Sequence, residues 1–587
     1  MRKSALAGAL FLQLVPINLA FNQGMAGETT LTQSLAVPQI LIENDPELDK
    51  ILFDLFYDGN RSAGFEGIAL PQQMPSMSAS PFNAREFSAP DASPQPVPPS
   101  QSEMPPRRAK STLILVQIDG LGYRQLLEAA KQGRAPNIAA LIQNGQFQAA
   151  AYRNGIPTVT QAVQHAIFYG KLLPGNEWYS KKRRKEITGN EQELELTEES
   201  GILHGGSAYL SELSGGARTG ADVNSLYMKD VRSQGTFLAI LKELWNGGPL
   251  FLRYLLSHNP FVSLPKFFYH LVRDAWTLRN DFKEMGFNTE MDKKAPYFLS
   301  LIANLWTPIA VEGLKKAMRD EEPIAYMDFP SYDEEAHYYG SFSSQAFSAL
   351  ERIDKHIGEL VETANQYGSR LLIFSDHGQT PTENFIKKYG KRFAQMADEA
   401  LLQTNPASRE GELVFLHVYS MGNIYAANFP GHMSLTDFEA GYPDLIQKLA
   451  AHPGVGMVAA RDGEAVALFG KNGRKRLAKT GEALLLEGQD PLAPYRDEMA
   501  TDKILGAQIA NYLDIEESGD LVVFAPYENG ATLDYNHKYS IISQHGGLGG
   551  DQMLPFVLYN PASLPLVPGE WLDARGLHQQ LAALLKN

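Results

Sequence analysis

The amino-acid sequence predicts an α/β fold in which a mostly parallel sheet lies between layers of helices. Five continuous apolar runs have the composition of strands buried on both faces, at residues 112–118, 324–327, 371–374, 521–524 and 556–559. Helical stretches such as residues 344–366 alternate with these runs. Parallel strands need crossover connections, which are usually helices, so this alternation favours a sheet covered by helices on both faces.

Length, charge and cysteine content restrict the class of protein. The chain has 587 residues, more than one hydrophobic core usually holds, so we expect a large catalytic domain with insertions or two to three domains. A formal net charge of −15 disfavours a protein that coats nucleic acid, because phosphate backbones require concentrated positive charge. The chain contains no cysteine, so metal ligands must come from His, Asp and Glu.

The N-terminus has the layout of a secretory signal peptide, which we predict over residues 1–26. Arg2 and Lys3 precede an apolar stretch at residues 5–14, and small residues follow near Ala20 and Ala26. No later stretch reaches the ~18 uninterrupted apolar residues of a membrane span, so we expect no transmembrane anchor in the mature chain. The predicted location is therefore periplasmic or secreted. The alternative is a buried N-terminal helix.

Three further segments follow the predicted signal peptide. Residues 27–70 are expected to include a short amphipathic helix, because one helical face carries Leu48, Ile51, Leu52 and Leu55. Residues 71–110 are rich in proline and serine and are predicted to be a linker. Residues 111–587 are expected to form the main domain.

Acids and histidines follow several of the predicted strands. In open parallel sheets, reactive residues gather just beyond the carboxyl ends of the strands, so these positions are candidates for a site. Three carboxylates and three imidazoles suit zinc, manganese or iron, and two metals could be held. Taken singly, each residue also has a structural explanation as a cap, turn or loop residue. The candidates are Asp119, Asp333, His337, Asp376, His377 and His545.

Two threonines are candidates for a nucleophile. Thr158 and Thr160 follow residues 154–157, a segment with glycine and proline that interrupts regular secondary structure, and residues 161–169 have a helical apolar pattern. Thr160 is therefore predicted at a helix N-terminus, where unpaired amides and the helix dipole favour a phosphate. A bound metal that stabilises the alkoxide would overcome the poor nucleophilicity of a threonine hydroxyl. The alternative is that Thr160 is only an N-cap.

In this order and spacing, the residues resemble the type I phosphodiesterase/nucleotide pyrophosphatase branch of the alkaline phosphatase superfamily. The resemblance extends from about Thr112 to about Pro561 and implies an alkaline-phosphatase-like core, two divalent metal ions, expected to be Zn²⁺, and Thr160 as the catalytic nucleophile. Thr160 is preferred over Thr158 because Gly170 follows it at the family's spacing. By this resemblance, one metal would be held by Asp119, Thr160, Asp376 and His377, and the other by Asp333, His337 and His545.

Other positions depart from the family's pattern or match it loosely. Asn176 stands in a segment that resembles the place of a phosphoryl-binding asparagine, although a turn residue is the alternative. Gln164 stands where many members have a histidine, and the usual F-P-N does not follow Thr160. Lys229 and Arg232 faintly resemble phosphate-binding residues of monoester-cleaving relatives. The alternative for this pair is a solvated helix face.

Two stretches, at about 178–320 and 380–540, have no clear equivalent in the family and are expected to form a cap that selects the substrate. The basic run at residues 181–185 is predicted to be a hydrated loop. One group of apolar residues is predicted to pack inside the cap, with lipid contact as the alternative: Phe267, Phe268, Leu271, Val272 and Trp276.

The sequence therefore predicts an exported, metal-dependent phosphoric ester hydrolase that acts on a small phosphodiester or nucleotide. One alternative is a phosphomonoesterase with the same metals, in which Lys229 or Arg232 would contact the extra phosphate oxygen. A second alternative is a catalytically silent binding protein, which would be expected to lack a ligand or the nucleophile. None of these residues is missing from the sequence.

Overall fold

The computed structural model describes residues 111–189, 192, 196, 200–217, 226–227, 260–408, 412–536 and 540–586. The predicted signal peptide, N-terminal helical segment and linker lie outside the described residues. Lys229 and Arg232 also lie outside them.

A seven-stranded, mostly parallel sheet forms the centre of the main domain, as predicted. The strand order is β2-β19-β8-β1-β7-β5-β6. Strands β6, β5, β7, β1 and β8 run parallel to one another, whereas β19 is antiparallel to both β8 and β2. The strands are β1 (Leu113–Ile118), β2 (Gln148–Ala151), β5 (Ser207–Ser211), β6 (Leu226–Tyr227), β7 (Ile324–Phe329), β8 (Arg370–Phe374) and β19 (Phe556–Tyr559).

Fourteen α-helices and a π-helical turn are present among the described residues. The first seven helices are α1 (Tyr123–Lys131), α2 (Pro136–Gln143), α3 (Thr160–Tyr169), α4 (Pro260–Glu284), α5 (Glu290–Leu301), α6 (Thr307–Arg319) and α7 (Ser331–Tyr339). The π-helical turn Ile302–Trp306 joins α5 to α6. The remaining helices are α8 (Ser344–Tyr367), α9 (Phe385–Tyr389), α10 (Phe393–Thr404), α11 (Leu435–Gly441), α12 (Leu445–Ala450) and α13 (Asp502–Leu513). The C-terminal helix, Arg575–Lys586, also packs on the main sheet.

Both faces of the main sheet are buried by helices, which confirms the predicted sandwich. Alternate side chains of β1 point to opposite faces: Ile114 packs in one core with α1, α2, α6 and α8, whereas Leu115 packs in another core with α3 and the C-terminal helix. Every residue of β1 is buried. This two-sided burial explains why the strand reads as a continuous apolar run.

A second seven-stranded sheet is antiparallel and has the order β10-β11-β16-β12-β13-β14-β15. Its strands are β10 (Leu413–Val418), β11 (Met421–Ala426), β12 (Met457–Asp462), β13 (Ala465–Gly470), β14 (Gly473–Ala478), β15 (Ala483–Gly488) and β16 (Leu521–Phe524). The prediction that residues 521–524 belong to the parallel sheet is therefore wrong. Val522 and Val523 are buried in separate cores on opposite faces of this sheet. Because both faces of β16 are covered, this antiparallel strand is as apolar as a strand of a buried parallel sheet.

Small strands complete the fold near the edges of these sheets. A three-stranded sheet has the order β17-β9-β18, and β3 and β4 form a hairpin. In the basic run at residues 181–185, Lys181 is largely buried in an ion pair with Asp520, so the predicted hydrated loop is wrong at that residue. The bounds are β3 (Glu177–Ser180), β4 (Lys185–Thr188), β9 (Thr380–Asn384), β17 (Thr532–Asp534) and β18 (Ser543–Gln544).

One helical segment among the described residues, Glu290–Arg319, is long and apolar enough to cross a membrane. Two thirds of its apolar window is buried inside the protein, as is usual for a core helix. On neighbouring α4, Leu271 packs against the main core, but Val272 and Trp276 are 49% and 63% exposed. Packing inside a cap is therefore a wrong prediction for these two residues, because they lie on the outer face of a long helix. The side chains of Phe267 and Phe268 lie outside the described residues.

Candidate active site

Three adjacent strands of the main sheet deliver the predicted ligands to one edge. Strand β1 lies between β7 and β8. Asp119 follows β1 directly, and Asp376 and His377 follow β8. Asp333 and His337 lie on α7, which begins immediately after β7. Because the three strands are parallel, their carboxyl ends meet at the same edge, and the side chains converge there.

The first group surrounds the Nε2 atom of His377. This atom lies 3.2 Å from Oδ2 of Asp376 and 3.6 Å from Oδ1 of Asp119. Thr160 is the first residue of α3. Its hydroxyl oxygen lies 3.3 Å from the same Nε2 and 3.4 Å from Asp119 Oδ1. The structure thus brings together all four residues that the sequence predicts as one ligand set.

The second group is centred on Asp333. Its Oδ2 lies 3.0 Å from His337 Nε2 and 4.0 Å from His545 Nε2. His337 reaches Asp333 because residues four apart share one face of α7. The ligand atoms of Asp333, His377 and His545 also lie within 4.8 Å of one another. His377 therefore lies at the junction of the two groups, whereas the sequence assigns it to the first group alone.

The protein fixes the orientation of all three imidazoles in the same way. Nδ1 of His337 is 2.9 Å from the carbonyl oxygen of Ser543, that of His377 is 3.0 Å from Gly378 O, and that of His545 is 2.7 Å from Thr158 O. A carbonyl oxygen only accepts hydrogen bonds, so each Nδ1 carries a proton. Each Nε2, which faces the carboxylates, is therefore the atom available for a proton or a metal.

Burial and charge crowding oppose the ionisation of several of these groups. Burial, together with the carboxylate of Asp376, raises the pKa of Asp119 well above its usual range. Burial also raises the pKa of Asp376, although His377 opposes the shift. Burial and the neighbouring ring of His377 lower the pKa of His545. Burial thus disfavours the charged forms of Asp119, Asp376 and His545, and a bound cation would relieve the repulsion between the carboxylates.

The donors present fit divalent metal ions. Oδ2 of Asp376 is buried and has no hydrogen-bond partner. In the neutral imidazole of His377, Nδ1 carries the proton and Nε2 does not. Nε2 therefore cannot donate a hydrogen bond to Asp376 Oδ2, and both atoms offer a lone pair to the space between them. Mixed oxygen and imidazole donors are the ligand set that zinc takes in cysteine-free sites.

A family model described as type I phosphodiesterase/nucleotide pyrophosphatase matches residues 113–546 of the chain. The chain belongs to this family. It is accordingly a phosphoric ester hydrolase of the phosphodiesterase/nucleotide pyrophosphatase type. No curated protein matches the sequence.

Solved structures with a similar fold include two kinds of hydrolase. Phosphonoacetate hydrolase from Sinorhizobium meliloti, in complex with phosphonoformate, has 15% identity and a TM-score of 0.45, with 81% of this chain and 96% of that chain covered. Murine ectonucleotide pyrophosphatase/phosphodiesterase 5, in complex with AMP, has 12% identity and a TM-score of 0.42, with 81% and 95% covered.

The two threonines of this phosphodiesterase-family site have different surroundings. Thr160 faces Asp119 and His377, as described above. The Thr158 hydroxyl accepts a hydrogen bond from the backbone N–H of Gly546, at 2.7 Å, and its side chain is fully buried. Thr158 therefore supports the segment that carries His545, which leaves Thr160 as the threonine that faces the ligand cluster.

Small and amide residues hold the carboxylates in position. A Cβ on Gly120 would lie 2.0 Å from Oδ1 of Asp333, so only glycine permits the close approach of these two segments. The backbone N–H of Gly120 donates to Oδ1 of Asp376 at 3.3 Å. Gln379 donates from Nε2 to Oδ1 of Asp333 at 2.6 Å. These contacts fix the carboxylates independently of any metal.

Asp328 is a functional candidate that the sequence reasoning missed. It lies in β7 beside Gln117 of β1 and is 1% exposed, and neither carboxylate oxygen has a hydrogen-bond partner. Burial and the carboxylate of Asp376 raise the pKa of Asp328 well above the usual range, although its interaction with the Asp119 side chain opposes the shift. A charged residue inside the otherwise apolar run IAYMDF was the available signal.

Asn176 and Gln164, the two loosely matched positions, are placed differently from the ligands. The carbonyl oxygen of Asn176 accepts from Gly189 N at 3.0 Å, and its side-chain Oδ1 is buried without a hydrogen-bond partner. Gly189 in turn packs against Gln161, because a Cβ on Gly189 would lie 2.6 Å from Oε1 of Gln161. Asn176 is therefore connected to Gln161, the residue after Thr160, only through Gly189. Gln164 donates to the Tyr326 hydroxyl at 2.9 Å and thus belongs to the core.

Proposed function

We propose that the chain is an exported, metal-dependent phosphodiesterase that hydrolyses a small phosphorylated substrate through Thr160. The observation that carries this proposal is the common orientation of His337, His377 and His545, each with Nδ1 on a backbone carbonyl and Nε2 facing an aspartate. Such an arrangement is typical of imidazoles that bind metal.

Two divalent ions, with zinc as the expected metal, would be held by two sets of side chains. Asp119, Thr160, Asp376 and His377 would hold one ion, and Asp333, His337 and His545 the other. When bound, such ions would neutralise the phosphate, lower the pKa of the threonine hydroxyl and provide an activated water. The short distances of His377 to members of both sets support a shared site rather than two independent ones.

The roles of the protein groups follow from their positions. The Thr160 oxygen attacks phosphorus, the bond to the leaving alcohol breaks, and the hydroxyl proton passes to a nearby base. Asp119 Oδ1, 3.4 Å from the hydroxyl, is placed to accept it. The N-terminus of α3 directs its unpaired amides towards the phosphate. Water then attacks the phosphothreonine, which releases phosphate monoester and restores the hydroxyl.

A diester is the preferred substrate class because the described residues around Thr160 are acids, imidazoles and amides. A monoester has a further anionic oxygen, which requires a cation or donor of its own. The alternative phosphomonoesterase would use Lys229 or Arg232 for that purpose. The hydrolysis rates of nitrophenyl phosphate and of a nitrophenyl nucleotide diester at matched concentrations distinguish a monoesterase from a diesterase. Faster hydrolysis of the monoester would overturn the diester preference.

The Thr160→Ala variant tests the mechanism. We expect it to lose hydrolysis while retaining bound metal, whereas Thr160→Ser should keep part of the activity because it restores a hydroxyl. An acid-stable phosphothreonine should accumulate on rapid quenching of the wild type and be absent from Thr160→Ala. Unaltered hydrolysis by Thr160→Ala would reject Thr160 as the nucleophile. Absence of any hydrolysis by the metal-loaded wild type would favour the silent binding protein.

Export is tested separately by cell fractionation. When the complete sequence is expressed, the protein should be recovered outside the cytoplasm with its N-terminus near residue 27. The double variant Arg2→Glu, Lys3→Glu should remain in the cytoplasm with its signal peptide still attached.

A further inference from the structure

The two carboxylate oxygens of Asp333 have different surroundings. Oδ2 lies 3.0 Å from His337 Nε2 and 4.0 Å from His545 Nε2. Oδ1 accepts a hydrogen bond from Nε2 of Gln379 at 2.6 Å. The backbone of Gly120 also packs closely against Oδ1, because a Cβ on Gly120 would lie 2.0 Å from that oxygen. Other protein groups thus occupy Oδ1, and Oδ2 is the oxygen that faces the imidazoles.

Gln379 directs its side-chain amide at Asp333. It is fully buried, two residues after His377 and immediately before β9. Besides Oδ1, its Nε2 reaches the backbone carbonyl oxygen of Asp333 at 2.8 Å. Its Oε1 is buried and has no hydrogen-bond partner among the described residues. A buried acceptor without a partner costs free energy, so this orientation of the amide is explained by its two bonds to Asp333.

The oxygens of Asp376 are divided in the same way, although by a backbone group. Oδ1 of Asp376 accepts from the N–H of Gly120 at 3.3 Å. Its Oδ2 is buried, has no hydrogen-bond partner among the described residues and lies 3.2 Å from Nε2 of His377. Asp333 and Asp376 therefore each present one oxygen to the ligand cluster, just as each imidazole presents one nitrogen.

We propose that Gln379 is a positioning residue that restricts Asp333 to one metal-binding oxygen and thereby favours four-coordinate Zn²⁺ over six-coordinate Mn²⁺. This inference rests on the proposed metal-dependent function. With one oxygen from Asp333, this residue, His337 and His545 supply three donor atoms, which leaves one position of a four-coordinate ion for water or substrate. An aspartate that bound through both oxygens would add a hard donor, which suits larger ions with more oxygen ligands.

Gln379→Met tests the proposal, because methionine is similar in length but cannot donate a hydrogen bond. Competition with a metal indicator measures the affinities of the metal-free protein for Zn²⁺ and for Mn²⁺. We expect the ratio of Zn²⁺ to Mn²⁺ affinity to fall by about tenfold or more at one of the two metal sites, as for loss of other residues that orient metal ligands. An unchanged ratio, including an equal loss of affinity for both ions, would overturn the proposal.

Gln508→Met is the matched control. Gln508 is also a buried glutamine, 3% exposed, with an Oε1 that lacks a hydrogen-bond partner among the described residues. Its Nε2 donates to the carbonyl oxygen of Leu572 at 2.7 Å rather than to a member of the ligand cluster. The control variant should therefore keep the wild-type ratio of affinities even if it is less stable. A fall in the ratio equal to that of Gln379→Met would show that the effect does not depend on Asp333.

A spectrum of the wild type covers the case in which Gln379→Met does not fold. Co²⁺ absorbs visible light much more strongly in four-coordinate than in six-coordinate sites, so the Co²⁺-loaded protein reports the coordination number. We expect the strong absorption of four-coordinate Co²⁺. The weak absorption of six-coordinate Co²⁺ would overturn the restriction of Asp333 to one oxygen while leaving a metal-dependent phosphodiesterase intact. Failure of the wild type to bind Zn²⁺, Mn²⁺ or Co²⁺ would instead count against the proposed function itself.

Discussion

The imidazole rings of His377 and His545 stack with their centroids 3.8 Å apart and their planes 20° apart. These residues come from distant parts of the chain, one after β8 and the other after β18. Their contact joins the group around Asp119 to the group around Asp333, so the ligands form one continuous pocket. Burial and this contact lower the pKa of His545, and the neutral imidazole is the form that binds metal.

Removal of His545 should release metal from one side of this pocket. Purified wild type is expected to contain two metal ions per chain by elemental analysis, and His545→Ala about one. The loss follows because Asp333 and His337 alone cannot complete a tetrahedral site. His204→Ala, which removes an exposed histidine of the same domain, should retain the wild-type content. A wild-type metal content in His545→Ala would remove His545 from the ligand set.

Asp328→Asn should have opposite effects on the metal-free and the metal-loaded protein. A buried carboxyl without hydrogen-bond partners costs free energy, so the metal-free variant is expected to be more stable, by about 1–3 kcal/mol. Loss of the nearby negative charge should weaken metal binding, by about 10- to 100-fold as for other residues that support metal ligands. Thermal melting with and without a chelator, together with competition by a metal indicator, measures both effects. A metal-free variant less stable than wild type would contradict this account.

Glu359 provides a pH dependence that is independent of the site. Burial opposes its ionisation, but interactions with His356 and Lys315, whose nitrogens lie 3.8 and 2.6 Å from the carboxylate, outweigh it and lower its pKa from 4.5 to about 2. Since the folded-state pKa is the lower one, this stabilisation is present above pH 4.5 and is lost as the pH falls towards 2. Lys315 Nζ lies 2.6 Å from Oε2 of Glu359, whose side chain is 42% exposed, so solvent screening reduces the effect.

Glu359→Gln should therefore unfold at lower urea concentration than wild type at pH 7, by a free energy of about 1 kcal/mol or less. The difference should narrow between pH 4.5 and pH 2, as wild-type Glu359 becomes protonated. Glu351→Gln removes an acid of similar exposure on the same helix, paired with Arg134, and serves as the control. A difference that is constant with pH would show that Glu359 acts through packing rather than charge.

The sequence was sufficient to predict which acids and histidines converge, because each one follows a strand or lies on the helix just after one. Asp119 and Asp376 end apolar runs, and parallel strands bring such ends together without knowledge of the loops. The same reasoning missed Asp328 because it lies inside a strand, where a single acid interrupts an apolar run. Burial of that carboxyl depends on its neighbours in β1 and cannot be read from local composition.

Strand direction was the other property that local pattern did not determine. Residues 521–524 are as apolar as β1, yet they form β16 in the antiparallel sheet. Both strands are covered on two faces, and this burial, rather than strand direction, sets the apolar composition. On α4, the aromatic content suggested packing inside a cap, but Trp276 is 63% exposed on the outer face. Helical spacing alone does not identify which face of a helix is covered.

The ion pair between Lys181 and Asp520 should contribute strongly to stability, unlike the rest of the basic run. Lys181 Nζ lies 2.6 Å from Oδ2 of Asp520, and the two side chains are 13% and 0% exposed. The Asp520 carboxylate also accepts from the backbone N–H groups of Ala426 and Met433, at 2.7 and 2.8 Å. It thus joins the β3–β4 hairpin to the antiparallel sheet.

Lys181→Met would leave this carboxylate buried without its cation, at a cost of about 3–5 kcal/mol. Lys182→Met changes an exposed neighbour in the same run and should cost less than about 0.5 kcal/mol. Urea unfolding of both variants and of the double variant Lys181→Met, Asp520→Asn makes the comparison. We expect the double variant to lose less than the sum of its single variants, because the second change removes the uncompensated charge. Strict additivity would contradict a direct interaction between the two residues.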